Sequence, residues 1–216
     1  MSKYVLIPDS FKGTLSSTAM CRMMSEEIRA LEPSAQIISI PVADGGEGTV
    51  EAFLTAVGGE RIEVRCKGPY FEDFTGYFAM LPGEIAVVEM AVAAGLPLVG
   101  ERRNAGATTT YGVGQLIAAA LDHGAKQVIL GLGGSATNDG GCGAAAALGV
   151  EFRNAAGELF VPVGGTLKEI VSISLAHAHP LIKSVPFTAM CDIDNPLCGE
   201  NGASAVFGPQ KGADDA

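Results

Sequence analysis

The sequence has no tryptophan, and only three histidines and five cysteines among its 216 residues. The cysteines form no CxxC pair, and no histidine lies at zinc-site spacing from them, which argues against the common structural zinc sites. An odd number of scattered cysteines is typical of reduced thiols in a cytosolic protein. We therefore expect neither a zinc site nor a disulfide framework.

Long apolar runs are also missing. No stretch approaches the ~20 apolar residues that span a bilayer, and the apolar run at residues 4–7 is too short for the core of a signal peptide. We therefore expect no membrane association and a cytoplasmic location.

Basic residues are few, with 14 Lys and Arg against 24 Asp and Glu and a net charge of −10. Nucleic-acid binding needs clustered cations, so this balance argues against a nucleic-acid partner. A small anionic substrate remains compatible with it, because one or two positioned cations in a cleft suffice. Metal ions on carboxylates would also fit the acidic balance, although solubility alone explains it equally well.

Strand patterns alternate with helix patterns along the chain, which predicts an α/β protein with a largely parallel sheet. Strands are expected at 3–8, 36–42, 61–66, 126–132 and 185–191, a hairpin at 74–90 turning near Pro82 and Gly83, and a further short strand at 202–208. Helices are expected from Ser16 or Ser17 to Leu31 and at 47–57, 109–123 and 138–149, the last capped by Asn138 or Asp139.

The sequence pattern changes near Gly68, where alternating strands and helices give way to a hairpin pattern. This change predicts two α/β lobes, residues 1–66 and residues 67–216. The last residues of the chain include Asp214 and Asp215, which would suit the first turn of a helix. We therefore expect both lobes to be incomplete within these residues.

Four glycine-rich polar segments each follow an apolar run. Ligands of open α/β sheets bind where strands end, so we expect one cleft to gather all four segments. In the first, at 9–13, Lys12 could act as a point charge on a phosphate or carboxylate, or could be a solvated lysine in a turn. In the second, at 44–49, Asp44 and Glu47 could hold Mg²⁺ or bind substrate hydroxyls, or could cap the following helix.

The third segment, at 131–141, has the most convergent backbone amides and lies between a strand and a helix start. It is not a Walker A loop, because no GKS or GKT closes it. A phosphate-binding loop is favoured over a structural turn, because backbone amides near a helix start attract anions.

The fourth segment, at 191–199, places Asp192 and Asp194 two residues apart, so both would share one face of a strand. Such a pair could ligate Mg²⁺ or accept a hydroxyl proton, or Asp194 could simply begin the turn before Pro196. Lys211 follows as a second candidate phosphate contact, with a solvated lysine as the alternative.

Together these segments resemble the bacterial glycerate kinase family, which phosphorylates the 2-hydroxyl of glycerate. The sequence segments that carry the resemblance are PDSFKGTLSS at 8–17, PVADGGEGT at 41–49, GLGGSATNDGG at 131–141 and CDIDNPLCGENGASAVFGPQKGA at 191–213. The resemblance covers the whole chain in order. It implies a two-lobed α/β kinase fold with one flavodoxin-like (Rossmann-like) lobe, to which residues 1–66 would contribute, and with ATP and Mg²⁺ meeting D-glycerate between the lobes.

The resemblance also implies roles for individual residues. Asp192 would be the base or a Mg²⁺ ligand, and Lys12 would neutralise charge on the transferring phosphoryl group or the carboxylate. The remaining implied residues are substrate contacts Asp9, Ser10, Asp44 and Glu47, phosphate contacts Gly133, Gly134, Ser135, Thr137, Asn138 and Lys211, and metal ligands Asp194 and Asn195.

Two departures from the family pattern keep alternatives open. Family members commonly carry an arginine in a GPLGR-like segment where this chain has GPYFE at 68–72, so a kinase for another small hydroxy acid is one alternative. Family chains also continue past further C-terminal motifs, so an inactive truncated chain that binds nucleotide is another. The sequence leaves the oligomeric state open, with a homodimer as one option.

Overall fold

The computed structural model describes residues 1–11 and 14–214. The ten strands there are β1 Lys3–Leu6, β2 Gln36–Ser39, β3 Glu60–Lys67, β4 Asp73–Leu81, β5 Ile85–Glu89, β6 Gln127–Gly131, β7 Glu151–Arg153, β8 Leu159–Phe160, β9 Ser172–Ser174 and β10 Phe187–Met190. The seven α-helices there are α1 Ser17–Leu31, α2 Thr49–Val57, α3 Met90–Ala94, α4 Leu96–Val99, α5 Tyr111–Asp122, α6 Cys142–Ala147 and α7 Ala203–Phe207. Short 3₁₀ turns lie at Gly164–Glu169, Pro180–Lys183 and Pro209–Lys211.

The central sheet has five strands in the order β10-β6-β5-β4-β3. β10, β6 and β5 run parallel, whereas β5, β4 and β3 are antiparallel neighbours. Side chains of β5 alternate between two clusters: Val88 packs with the α5 residue Leu116, and Val87 packs with the α2 residue Val50. Both faces of the sheet are therefore covered by helices, which explains the nearly continuous apolar sequence of β5.

Two smaller sheets complete the described residues. β1 and β2 pair in parallel next to α1, and β7 lies between β8 and β9 in an antiparallel sheet. Within residues 1–11 and 14–214, no helix is long and apolar enough to cross a membrane. The mixed α/β class with parallel strands is confirmed.

Most predicted elements are found within a few residues of their expected positions. The hydroxyl of Ser16 accepts a hydrogen bond from the N–H of Ala19 at 3.2 Å, and α1 then continues to Leu31 as predicted. β4 and β5 form the predicted hairpin, with Gly83 at a φ of 84° in its turn. These features depend on local sequence signals, which explains why they could be predicted.

Two expectations are wrong. Segment 202–208 forms helix α7 instead of a strand: the N–H of Val206 donates to the carbonyl of Gly202 at 3.0 Å. Among the described residues no strand pairs with this segment, and its backbone groups find hydrogen bonds within the segment instead. α6 begins at Cys142 with Gly141 as its N-cap, and neither Asn138 nor Asp139 occupies the cap position.

The division into lobes at 66/67 stays a prediction. β3 pairs along its whole length with β4, from Glu60 opposite Met80 to Lys67 opposite Asp73. Residues 60–67 therefore belong to the central sheet, together with the strands that follow them.

Candidate active site

The carboxyl ends of three parallel strands meet at one edge of the central sheet. Glu89 pairs with Gly131, and Gly131 pairs with Met190, so β5, β6 and β10 end at the same level. The glycine-rich segment 131–141 leaves β6 at this edge, and segment 191–199 leaves β10 beside it. Loops at such an edge carry the ligand-binding groups of open α/β sheets, so the third and fourth predicted motifs lie together.

The second motif lies against the same edge. The N–H of Gly133 donates to the carbonyl of Gly45 at 2.9 Å. A β-carbon at position 133 would lie 2.7 Å from the α-carbon of Gly46, and one at Gly131 would lie 2.5 Å from the carbonyl oxygen of Gly45. Only glycine permits this approach, so the two loops pack backbone to backbone.

Glu89, at the end of β5, holds the start of α2 at this edge. Its carboxylate is 3% exposed and accepts hydrogen bonds from the N–H groups of Gly48 and Val50, each at 3.1 Å. Burial raises the pKa of Glu89 from 4.5 to about 6, against the opposing effect of the two backbone hydrogen bonds and with a smaller contribution from the charge of Glu47. A carboxylate from the sheet, and not one from its own segment, therefore caps α2.

Asp139 fixes the second half of the glycine-rich segment. Its carboxylate is 1% exposed and accepts the N–H and the hydroxyl of Thr110, both at 2.8 Å. It also accepts the N–H groups of Gly141 at 3.1 Å and Gly143 at 3.2 Å. Asp139 thus joins the start of α6 to the start of α5 and sets the conformation of the segment between β6 and α6.

Lys211 reaches the glycine-rich segment from the 3₁₀ turn after α7. Its Nζ donates to the hydroxyl of Ser135 at 2.7 Å and to the carbonyl of Thr137 at 2.8 Å. Burial lowers the pKa of Lys211, and the charge of Asp139 acts in the opposite direction. An ammonium group has three N–H donors, and two of them are used by described residues.

A cleft of about 300 Å³ opens above these strand ends. Seven of the predicted site residues line it: Asp44, Gly133, Gly134, Ser135, Asn138, Asp192 and Lys211. The other lining residues are Leu96, Leu132, Cys191, Ile193, Ala203, Phe207 and Gln210. The cleft therefore combines one lysine, two carboxylates and a glycine-rich loop from three of the four predicted segments and from the segment around Lys211.

The other predicted residues lie around the cleft or away from it. Thr137 is buried behind the loop, and Glu47 lies beside the loop, since its Cγ would be 3.9 Å from a β-carbon at Gly134. Asp194 is exposed and Asn195 donates to the carbonyl of Asn201 at 3.0 Å, and neither lines the cleft.

The first predicted segment is only partly described. Asp9 accepts the N–H of Ser10 at 2.7 Å, and neither residue is among those that line the cleft. Lys12 lies outside the described residues. The predicted roles of all three stay predictions.

Sequence reasoning missed Glu89, and it treated Asp139 only as a candidate helix cap. Glu89 carries a usable signal, because it is the only acid in the buried run AVVEM at 86–90. The role of Asp139 depends on Thr110, which lies 29 residues earlier in the chain. No local pattern connects those two residues.

The groups in the cleft fit phosphate and Mg²⁺. Within residues 1–11 and 14–214, the N–H groups of Gly134 and Ser135 donate no hydrogen bond to another residue. Adjacent backbone amides next to a lysine suit an anion. The carboxylates of Asp44 and Asp192 suit Mg²⁺, which takes one or two carboxylates and completes its coordination with water and phosphate oxygens. In the part of the chain that the structure describes, no cluster of three or more His, Cys, Asp or Glu could hold a metal by itself.

The segment that departs from the family pattern forms a closed turn outside the cleft. The N–H of Gly68 donates to the carbonyl of Glu72 at 2.8 Å, and the N–H of Tyr70 donates to its carboxylate at 2.7 Å. Phe71, at a φ of 61°, occupies the left-handed region inside this turn. The departure therefore changes no residue that lines the described cleft.

Comparisons with known proteins agree with these observations. The sequence model of the Glycerate kinase family matches residues 4–216. The chain is 46% identical over 215 residues to a glycerate kinase of Bacillus cereus, covering 99% of this chain and 56% of that protein. It is 43% identical over 216 residues to the glycerate 2-kinase of Escherichia coli, covering 99% of this chain and 57% of that protein.

A crystal structure described as glycerate kinase 2 from Salmonella typhimurium LT2 has the same fold, with a TM-score of 0.84 and 40% identity. The match covers 100% of this chain and 59% of that one. The chain thus spans somewhat more than half the length of the relatives it matches. The resemblance inferred from the four motifs is confirmed, and the chain belongs to the glycerate kinase family.

Proposed function

We propose that this chain carries the phosphoryl-transfer site of a glycerate kinase, which uses ATP and Mg²⁺ to convert D-glycerate to 2-phosphoglycerate. The observation that carries the proposal is the convergence of Lys211, Asp192 and the loop 133–135 on one cleft at the ends of three parallel strands. Because the chain spans 56% of the length of one close relative, we assign the activity to the whole protein of which these residues form the matching part.

In this proposal the cleft aligns the phosphates with the substrate hydroxyl. Lys211 and the N–H groups of Gly134 and Ser135 hold phosphate oxygens. Asp192 accepts the proton of the glycerate 2-hydroxyl. The oxygen of that hydroxyl forms a bond to the γ-phosphorus while the bond from the γ-phosphorus to the leaving ADP breaks. Phosphoryl transfer depends mainly on alignment and on neutralising charge, so these groups suffice chemically.

The remaining predicted residues complete the site. Asp44 fits Mg²⁺ better than Asp194 and Asn195 do, because only Asp44 lines the cleft. When bound there, Mg²⁺ supplies charge neutralisation on the phosphate oxygens. Glu47, Asp9 and Ser10 are proposed substrate contacts, and Lys12 is proposed to neutralise the phosphoryl group or the glycerate carboxylate. The Escherichia coli relative is named as a glycerate 2-kinase, which supports the 2-hydroxyl as acceptor.

A coupled assay of ADP release tests the proposal, with D-glycerate, L-glycerate, lactate and tartrate as acceptors. We expect ADP release that depends on D-glycerate and 2-phosphoglycerate as the product. Release with another hydroxy acid but not with glycerate would favour the alternative kinase. The assay is run on the 216-residue chain and on a chain of full family length. This comparison separates a loss of activity caused by missing segments from the choice of a wrong substrate. Titration with an ATP analogue detects a chain that binds nucleotide without turnover.

The Asp192→Asn variant tests the role of the base. We expect kcat to fall by at least about 10²-fold, the usual scale for a positioned general base. Glu200→Gln is the matched control, because Glu200 is an exposed acid directly after the same segment and does not line the cleft. Near-normal turnover of Asp192→Asn would remove Asp192 from the mechanism.

A further inference from the structure

A second, larger cavity adjoins the cleft across α7. Its volume is about 740 Å³, and its walls include Asn104, Gly106, Asn138, Gly165, Ser204 and Asp214. Asn138 lines both spaces, and its Nδ2 donates to the hydroxyl of Ser204 at 3.0 Å. Asn138 therefore forms part of the wall of both spaces, with Ser204 beside it on the side of the larger cavity.

One segment separates the two spaces and faces both of them. Ala203 and Phe207 of α7 line the cleft, whereas Ser204 and Ala205 line the larger cavity. The 3₁₀ turn is divided in the same way, since Pro209 lines the cavity whereas Gln210 and Lys211 line the cleft. A ligand that reaches across Asn138 would contact the cavity with one end and Lys211 with the other.

The sizes of the two spaces suit the two halves of a nucleotide. Small-molecule sites occupy ~300–1,000 Å³, and the cleft of about 300 Å³ must also admit the acceptor hydroxyl next to Asp192. That leaves room in the cleft for a phosphate chain but not for a nucleoside as well. The cavity of about 740 Å³ is large enough for a ribose and a base.

The chemistry of the cavity favours a neutral, polar ligand. None of the described residues that line it is a lysine or an arginine, and one is the acid Asp214. The groups that remain are the amides of Asn104 and Asn138, the hydroxyl of Ser204 and exposed main chain. Oδ1 of Asn104 accepts the N–H of Gly106 at 3.1 Å, which orients the amide at the cavity wall. Neutral donors and acceptors suit ribose hydroxyls and base edges, whereas a second phosphate would lack a cation.

We propose that the larger cavity binds the nucleoside half of ATP, with the phosphate chain passing Asn138 to reach Lys211 and the loop 133–135. This inference rests on the proposed function, because it assigns the nucleoside contacts of the same phosphoryl donor.

Filling the cavity while sparing the cleft tests the proposal. Ala205→Trp places a large side chain on the cavity wall, and Val206→Trp is the matched control, because Val206 is 46% exposed on the same helix and lines neither space. Calorimetric titration measures the Kd of ATP and of inorganic tripolyphosphate, which can occupy only the phosphate half. We expect Ala205→Trp to raise the Kd of ATP by about tenfold or more while tripolyphosphate binds as to the unsubstituted chain. Val206→Trp should leave both affinities unchanged.

The outcomes separate this inference from the proposed function. Unchanged ATP affinity in Ala205→Trp, or equal weakening of ATP and tripolyphosphate, would overturn the nucleoside site alone. Failure of an unsubstituted chain of full family length to bind either ligand would overturn the phosphate site and the inference with it. If Ala205→Trp loses its native circular dichroism spectrum, the smaller Ala205→Leu substitution gives the same comparison with a weaker expected effect.

Discussion

The buried carboxylate of Glu89 predicts a measurable dependence of stability on pH. Its pKa is about 6 in the folded chain against an ordinary 4.5, which corresponds to about 2 kcal/mol at ~1.36 kcal/mol per pH unit. The folded-state pKa is the higher one, so the folded chain binds this proton more tightly than the unfolded chain does. The resulting stabilisation is complete below the unfolded pKa and is lost as the pH rises through about 6.

Replacing the carboxyl with an amide removes this titration. Glu89→Gln keeps one acceptor oxygen, so one of the two N–H groups now bonded at the start of α2 loses its acceptor. That loss costs about 1–3 kcal/mol at every pH. The free energy of unfolding of the variant, relative to the unsubstituted chain, should therefore rise by about 2 kcal/mol between pH ~4 and pH ~7.5, because only the unsubstituted chain loses stability from this group.

Urea unfolding followed by far-ultraviolet circular dichroism at several pH values measures this difference. Subtracting the two curves cancels the titration of the other groups, which both chains share. Glu63→Gln is the matched control, because Glu63 is an exposed acid on β3, two strands away from β5 in the same sheet. We expect its difference curve to stay flat within ~0.5 kcal/mol. A flat curve for Glu89→Gln as well would refute burial as the cause of the raised pKa.

Two further substitutions test the geometry of the cleft. Lys211→Met removes the cation and its two hydrogen bonds to the glycine-rich loop, so we expect the KM for ATP to rise about tenfold or more and that for glycerate to change less; equal effects on both substrates would contradict a phosphate contact. Gly133→Ala would place a β-carbon 2.7 Å from the α-carbon of Gly46, so we expect a loss of about 1–3 kcal/mol in the free energy of unfolding. A thermal midpoint equal to that of the unsubstituted chain would show that the two loops do not pack as described.

Local signals in the sequence determined most of the secondary structure and the approximate position of the cleft. A serine cap at Ser16, the turn at Gly83 and the alternation of apolar strands with helices each depend on residues within one or two turns of the chain. The prediction that glycine-rich segments meet at strand ends also held for the third and fourth segments, because parallel strands bring their carboxyl ends to one edge. The second segment follows β2 of a separate sheet and reaches the same edge through backbone packing against Gly131 and Gly133.

Only the tertiary structure decided which polar groups cap helices and which line the cleft at the carboxyl ends of β5, β6 and β10. Glu89 caps a helix that begins 40 residues earlier in the chain, because strand pairing brings the end of β5 beneath it. Lys211 lies against Ser135, 76 residues away, and Asp192 lines the cleft whereas Asp194 does not. Local propensity carries no information about such pairs, since they depend on strand order and register. The sequence therefore determined the family and the motifs, and the packing of distant segments determined the burial, the raised pKa of Glu89 and the membership of the cleft.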